Sequence, residues 1–345
     1  MQIIDMHCDT ISKIRQMEKE GSPASLRHNS LSVDLEKMKK GGYALQTFAI
    51  YVNWEEEPDA EAAAGDILKI FQREMQRNAD LISQVRTYSE LEANEKAGKM
   101  SALLSLEEGA IFQNSLDSLR WFHRQGVRMA TLTWNYENDF GFPNCMGDPL
   151  TQKTWSWGDD RGLKKKGLEF LEELEHLHIL VDVSHLSDGG FWDVAEHSTR
   201  PFLASHSNAR GLVKGSARNL TDDMIRTLAD RGGVMGLNYA VSFMRPNWKP
   251  GEAGTTVEEI VQMASYILNV GGSDCLGLGS DYDGILELPE ISDCSQVQLL
   301  AEQMEKHGFT YSQTEKILGG NVRRFLKENC NDSAMRLRIT NFGAR

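Results

Sequence analysis

Cysteine is sparse in this chain and shows no pairing pattern. Five occur in 345 residues, Cys8, Cys145, Cys275, Cys294 and Cys330, without a CxxC among them. That excludes a disulfide framework and suits a reducing compartment. No run approaches the ~18 apolar residues a membrane span needs. Basic charge is also in deficit, with 37 Lys and Arg against 50 Asp and Glu and a formal net charge of −13. This argues against nucleic acid or an anionic membrane as partner. No Pro/Gly/Ser-rich linker and no internal repeat divides the sequence, so one domain over residues 1–345 is expected. The chain opens directly on a strand-like run at residues 2–6, leaving no room there for a basic segment and apolar leader. A cytoplasmic protein is the expectation.

What the chain does have is a recurring alternation. Apolar runs fall at residues 2–6, 43–51, 101–106, 127–133, 179–184, 201–205, 233–238 and 275–280. Several are too apolar, and too poor in two-residue alternation, for a sheet with one wet face; they read as buried parallel strands. Between them lie helix-spaced patterns over 60–81, 163–177, 221–229, 256–270 and 312–326. Eight strands alternating with helices imply a (β/α)8 TIM barrel. Residues 136–160, rich in Asn, Gly, Pro and Trp, read as a long loop over its mouth, with Trp54, Trp155 and Trp157 as anchors or walls in such loops.

Metal-type side chains close these runs. The first ends in His7-Cys8-Asp9, the third in Glu107-Glu108-Gly109, the fifth in Ser184-His185, the sixth in Ser205-His206 and the eighth in Ser280-Asp281-Tyr282-Asp283. A barrel converges the carboxyl ends of its strands on one cavity. Three imidazoles and several carboxylates are too many for one tetrahedral zinc with an open position, but they suit two ions sharing a carboxylate. Paired ions of this kind activate water and polarise a carbonyl. A carboxylate not committed to metal then moves the proton, and Asp281 is the natural candidate. Asp283 is weaker, because the adjacent turn aims it elsewhere. Asp182 is placed to orient a ligand imidazole. His28, His123, His176, His178, His197 and His307 fall in helical or polar stretches and carry less.

In their order and spacing these segments resemble the membrane dipeptidase (renal dipeptidase) family of zinc peptidases, in the amidohydrolase superfamily. The likeness extends through Ser216-Ala217-Arg218-Asn219-Leu220 to Leu318-Gly319-Gly320-Asn321, nearly end to end. It implies two zinc ions: His7, Asp9 and Glu107 on one, with Glu107 bridging to a second completed by His185 and His206. Glu107 is preferred to Glu108 because the family's Glu-x-Gly aligns only in that register. Asp281 would be the acid/base group. Arg218 would bind the substrate's terminal carboxylate, a task for which a bidentate guanidinium is suited. The substrate would be a small peptide, with a D-residue tolerated on its carboxyl side, and the protein a homodimer.

The chain departs from the family at one position. Trp134 stands where the family has a histidine near the reacting carbonyl, and an indole cannot carry a proton there. Asn135 could partly substitute, and Trp134 could narrow the pocket; both are counted as substrate-binding candidates. Two rivals share the metal chemistry: another amidohydrolase activity, such as N-acyl amino acid deacylation or lactone opening, and a metal-binding homologue without activity.

Overall fold

All eight apolar runs become strands; runs this short and buried on both faces satisfy their backbone in ladders with their neighbours. They are β1 (Ile3–Cys8), β2 (Tyr43–Tyr51), β3 (Met100–Glu107), β4 (Val127–Thr131), β5 (Leu180–Asp182), β6 (Leu203–Ala204), β7 (Val234–Leu237) and β8 (Leu276–Leu278). The structure, a computed structural model, describes residues 1–147, 156–157 and 159–330. Every ladder among these strands is parallel, in the order β2-β1-β8-β7-β6-β5-β4-β3. Pairing of β2 with β3, from Leu45↔Ser101 to Tyr51↔Glu107, closes the cylinder. The expected (β/α)8 barrel is the observed fold.

Helices at Thr10–Lys19, Leu35–Gly41 and Gln298–Lys306 lie outside the five expected patterns, and two smaller features were not expected either. A short strand, Ile82–Gln84, pairs parallel with the first residues of β3 and belongs to an extra strand–helix insertion after β2. Three residues, two of them half-buried and polar, give too little apolar signal to be read. Within the long loop, Cys145–Met146 and Ser156–Trp157 form a small antiparallel ladder; Trp155 lies outside the described residues. The pattern over 312–326 is also interrupted. It becomes Tyr311–Glu315, a widened turn at Lys316–Gly320 and Asn321–Asn329. At that turn a Cβ on Gly319 would meet the Gln2 carbonyl at 2.6 Å, so the glycine permits the approach.

Core packing separates into two clusters. The larger fills the layer between barrel and helices, with Phe48, Phe71, Phe112, Phe122 and Phe191 wholly buried. The smaller joins Ile4, Leu45, Leu103, Met129, Leu180, Leu203 and Val234, one from each of seven strands, to Val322, Phe325 and Leu326 of the last helix. Such a set can meet only inside the barrel. It closes the amino-terminal end of the cylinder and leaves the other end for polar groups.

A candidate metal centre at the carboxyl ends of the strands

The chain turns sharply as it leaves β3, β5 and β8, and residues other than glycine make the turns. Glu108 (φ 109°), His185 (φ 68°), Asp281 (φ 60°) and Asp283 (φ 69°) all lie in the left-handed region, where such residues are strained and cluster at functional sites. These turns bring the sequence-derived ligands together. His7 Nε2 lies 3.3 Å from Asp9 Oδ2, 3.2 Å from Glu107 Oε2 and 3.8 Å from Asp281 Oδ1. The other Glu107 oxygen, Oε1, lies 3.1 Å from His185 Nε2 and 3.4 Å from His206 Nε2. All five expected ligands are buried.

Hydrogen bonds assign the tautomers of two imidazoles. His185 Nδ1 is 2.9 Å from Asn135 Oδ1, which can only accept, so Nδ1 carries the proton. His206 Nδ1 is 2.7 Å from Ser205 Oγ, whose own proton goes to Asp182 Oδ2. His206 is therefore also protonated on Nδ1. The two Nε2 atoms face each other at 3.0 Å with their lone pairs, a repulsive arrangement that a cation relieves. Asp9 Oδ1 is buried and has no hydrogen-bond partner. Beside it, a Cβ on Gly284 would run into Asp9 Oδ2 and Asp281 Oδ1. Imidazole nitrogens and carboxylate oxygens converging in this way fit zinc or a similar borderline ion.

The electrostatics favour two of the three imidazoles as donors. Burial, followed by the charge of Arg218, lowers the pKa of His185 to about 3. Burial together with His7 and Arg218 holds His206 well below the usual imidazole range. Both keep lone pairs for a metal. Burial would lower His7 too, yet Glu107 and Asp9 outweigh it and hold this imidazole well above its ordinary range. Burial raises Asp9 to about 6 and Asp281 to about 7. Glu107 moves the other way, because the imidazoles around it, His7 foremost, overcome the effect of burial.

Around the ligands, Asp182 does what its position suggested. It accepts the Ser184 and Ser205 backbone N–H groups at 2.9 Å each and the Ser205 hydroxyl, which in turn holds His206. Asn135, expected to face substrate, is bound to His185. Asp283 turns away, accepting from the Thr10 hydroxyl at 2.6 Å and the Ser32 backbone N–H at 2.7 Å. Trp134 is half-buried and packs 4.9 Å from the Tyr51 ring and 6.3 Å from His185, centroid to centroid. Arg218 is wholly buried, donating to Ser207 Oγ (2.8 Å) and the His206 carbonyl (2.9 Å), with its Nε unpartnered. His178 lies in a turn rather than a helix.

Sequence reasoning missed the part played by Glu108, set aside as the neighbour in the wrong register. Its wholly buried carboxylate accepts from the Trp134 backbone N–H (2.9 Å), Asn138 Nδ2 (2.6 Å) and the Ala110 backbone N–H (2.7 Å). It thus ties the segment carrying Trp134 and Asn135 to the end of β3, and burial raises its pKa to about 7. Asn238 was missed as well; it donates to Asp281 Oδ2 at 2.9 Å. No spacing rule reaches partners 26, 30 or 43 residues apart.

Comparison with known proteins agrees with this geometry. Residues 1–337 match the membrane dipeptidase family, peptidase family M19. The chain belongs to that family. The enzyme is accordingly a dipeptide-hydrolysing metalloenzyme. An uncharacterized protein in the pqqA 5′ region of Klebsiella pneumoniae is 34% identical over 236 residues, 66% of this chain and 82% of that protein. An uncharacterized dipeptidase of Schizosaccharomyces pombe is 33% identical over 67% of this chain, a match spanning 53% of the yeast protein. Among solved structures, the metallopeptidase dipeptidase AC of family M19 superposes with a TM-score of 0.84 at 26% identity, covering 96% of this chain and 99% of that one. A Rhodobacter sphaeroides metallopeptidase, liganded with a phosphinate mimic of the dipeptide L-Ala-D-Ala, gives 0.83 at 26% identity with the same coverage.

Proposed function

We propose that the enzyme cleaves the peptide bond of dipeptides at a centre of two zinc ions, His7 and Asp9 on one, His185 and His206 on the other, and one oxygen of Glu107 on each. The observation that carries this reading is the division of Glu107, with Oε2 beside His7 and Oε1 beside His185 and His206. Ligands about 2.1 Å from a tetrahedral ion stand about 3.4 Å apart, and the distances within each half run from 3.0 to 3.4 Å. Bound there, zinc would polarise the scissile carbonyl and make water a nucleophile near neutral pH.

The rest falls to the chain. Asn238 holds Asp281 by Oδ2, which leaves Oδ1 turned toward His7 and able to take a proton from the attacking water and pass it to the departing amine. Asn135 spends its oxygen on His185, so its amide nitrogen is the group it can offer to the oxyanion. Trp134 and Tyr51 wall a cavity of about 470 Å³, ample for a dipeptide. Arg218 is the proposed anchor for the terminal carboxylate through its free Nε, with Phe243, a cavity residue, packed 5.5 Å over the guanidinium. The L-Ala-D-Ala mimic in the Rhodobacter relative supports tolerance of a D-residue at the carboxyl position. The five free, buried cysteines support a reducing, cytoplasmic setting; no described helix is long and apolar enough to cross a membrane. A homodimer, suggested by the resemblance, is tested by sedimentation.

Elemental analysis combined with a panel of L,L- and L,D-dipeptides tests the proposal. Two zinc ions per chain and turnover of dipeptides are expected. Zinc without dipeptide turnover would identify an inactive homologue, and turnover confined to N-acyl amino acids or lactones would favour the other rival.

A further inference from the structure

One cation in the cavity has nothing to do. Lys13 lies on the helix Thr10–Lys19, which starts immediately after the ligand Asp9; Lys13 is four residues on, its backbone N–H bonded to the Asp9 carbonyl at 2.9 Å. One helical turn, about 5.4 Å, therefore places it on the same helix face as that ligand. The residue is half-buried and lines the cavity together with Asp9, Glu107 and Asp281. Its ammonium has no hydrogen-bond or ion-pair partner among the described residues. The other two cations of that wall are committed. Arg15 donates both Nη groups to Glu57, at 2.6 and 2.8 Å, and Lys19 donates to Glu57 at 3.0 Å. Arg218 is wholly buried and spends its Nη groups on Ser207 and the His206 carbonyl.

An unpaired ammonium on a residue that lines the cavity, one helical turn from a proposed metal ligand, is a receptor for an anion. Resting on the dipeptidase reading, we propose that Lys13 receives a carboxylate of the dipeptide and so sets which substrates the enzyme prefers. Two carboxylates could occupy it: the terminal one, or one on an aspartate or glutamate side chain. A point-charge ammonium on a flexible stem accepts either.

The test compares wild type with Lys13→Met, which keeps the apolar stem, and with Lys13→Arg. The zinc-loaded proteins are assayed on Ala-Ala, Glu-Ala, Ala-Glu and Ala-alaninamide. A charge-assisted hydrogen bond to carboxylate predicts a loss of about tenfold or more in kcat/KM, carried mainly by KM, and recovery in Lys13→Arg. If Lys13 meets the terminal carboxylate, Lys13→Met loses activity on the three free-carboxylate dipeptides and not on the amide. If it meets a side chain, only Glu-Ala or Ala-Glu loses. Unchanged kinetics on all four substrates, or an equal loss on all four including the amide, overturns the inference. Should wild type hydrolyse none of them, the dipeptidase reading itself fails and this inference falls with it.

Discussion

The two ends of the barrel are made from the same eight strands and are built on opposite terms. At the amino-terminal end, one apolar residue from each of seven strands meets Val322, Phe325 and Leu326, and nothing in that cluster has a charge to place. The carboxyl-terminal end gathers three imidazoles and three carboxylates within a few ångströms, all but Asp281 buried, leaves Asp9 Oδ1 unpartnered and holds Glu108, His185, Asp281 and Asp283 at positive φ. Strain of that type costs on the order of 1–3 kcal/mol per residue. The packed end offsets that cost, and the strained end uses the stability so supplied to hold charges that repel one another.

This contrast can be broken at either end. The largest effect is expected at Glu107→Gln, which removes the charge both donor clusters share. Its loss of zinc and of turnover should exceed the ~10–100-fold typical of outer partners, while the far-ultraviolet circular dichroism of the protein stays that of a folded barrel. At the opposite end, Phe325→Ala opens a cavity in the plug and should lower stability by about 3–5 kcal/mol, read by denaturant unfolding. If kcat per folded molecule also fell, the separation of the two ends would be wrong. A smaller effect is expected from Ser205→Ala, which cuts the relay from Asp182 to His206. Zinc affinity should weaken by ~10–100-fold, measured by competition with a chelator, with little change in the melting of the metal-free protein. Smallest of all, Thr256→Ala removes a capping box on the helix Val257–Gly271, none of whose residues lines the cavity. A loss of about 1 kcal/mol in stability with unaltered kinetics is expected; any change in KM would extend the site into a layer assigned here to stability.

The cluster of candidate ligands was legible because each member sits at the end of an apolar run, a local signal. His7 and Asp9 declare themselves two residues apart, and His185 and His206 each follow a serine at a strand end. Asp182 was legible for a related reason, being two residues before Ser184. Glu108 was not: its role lies in acceptance from Trp134 and Asn138, and a carboxylate beside a stronger candidate gives no hint of that. Asn135 was read as facing substrate; that its oxygen also orients His185 was not legible. The strand Ile82–Gln84 escaped because three residues cannot display a period.

The order of side-chain types along the chain was enough to establish eight buried strands, a barrel, and which donors would gather at its mouth, since burial and alternation are properties of neighbouring residues. Folding in three dimensions decided which Glu107 oxygen serves which histidines, which imidazole nitrogen keeps its lone pair, how deep Arg218 lies, and that Lys13 alone among the cavity's described cations is left without an acid. Those outcomes depend on distances across the closed cylinder, between residues tens to hundreds of positions apart, and spacing along the chain carries no measure of them.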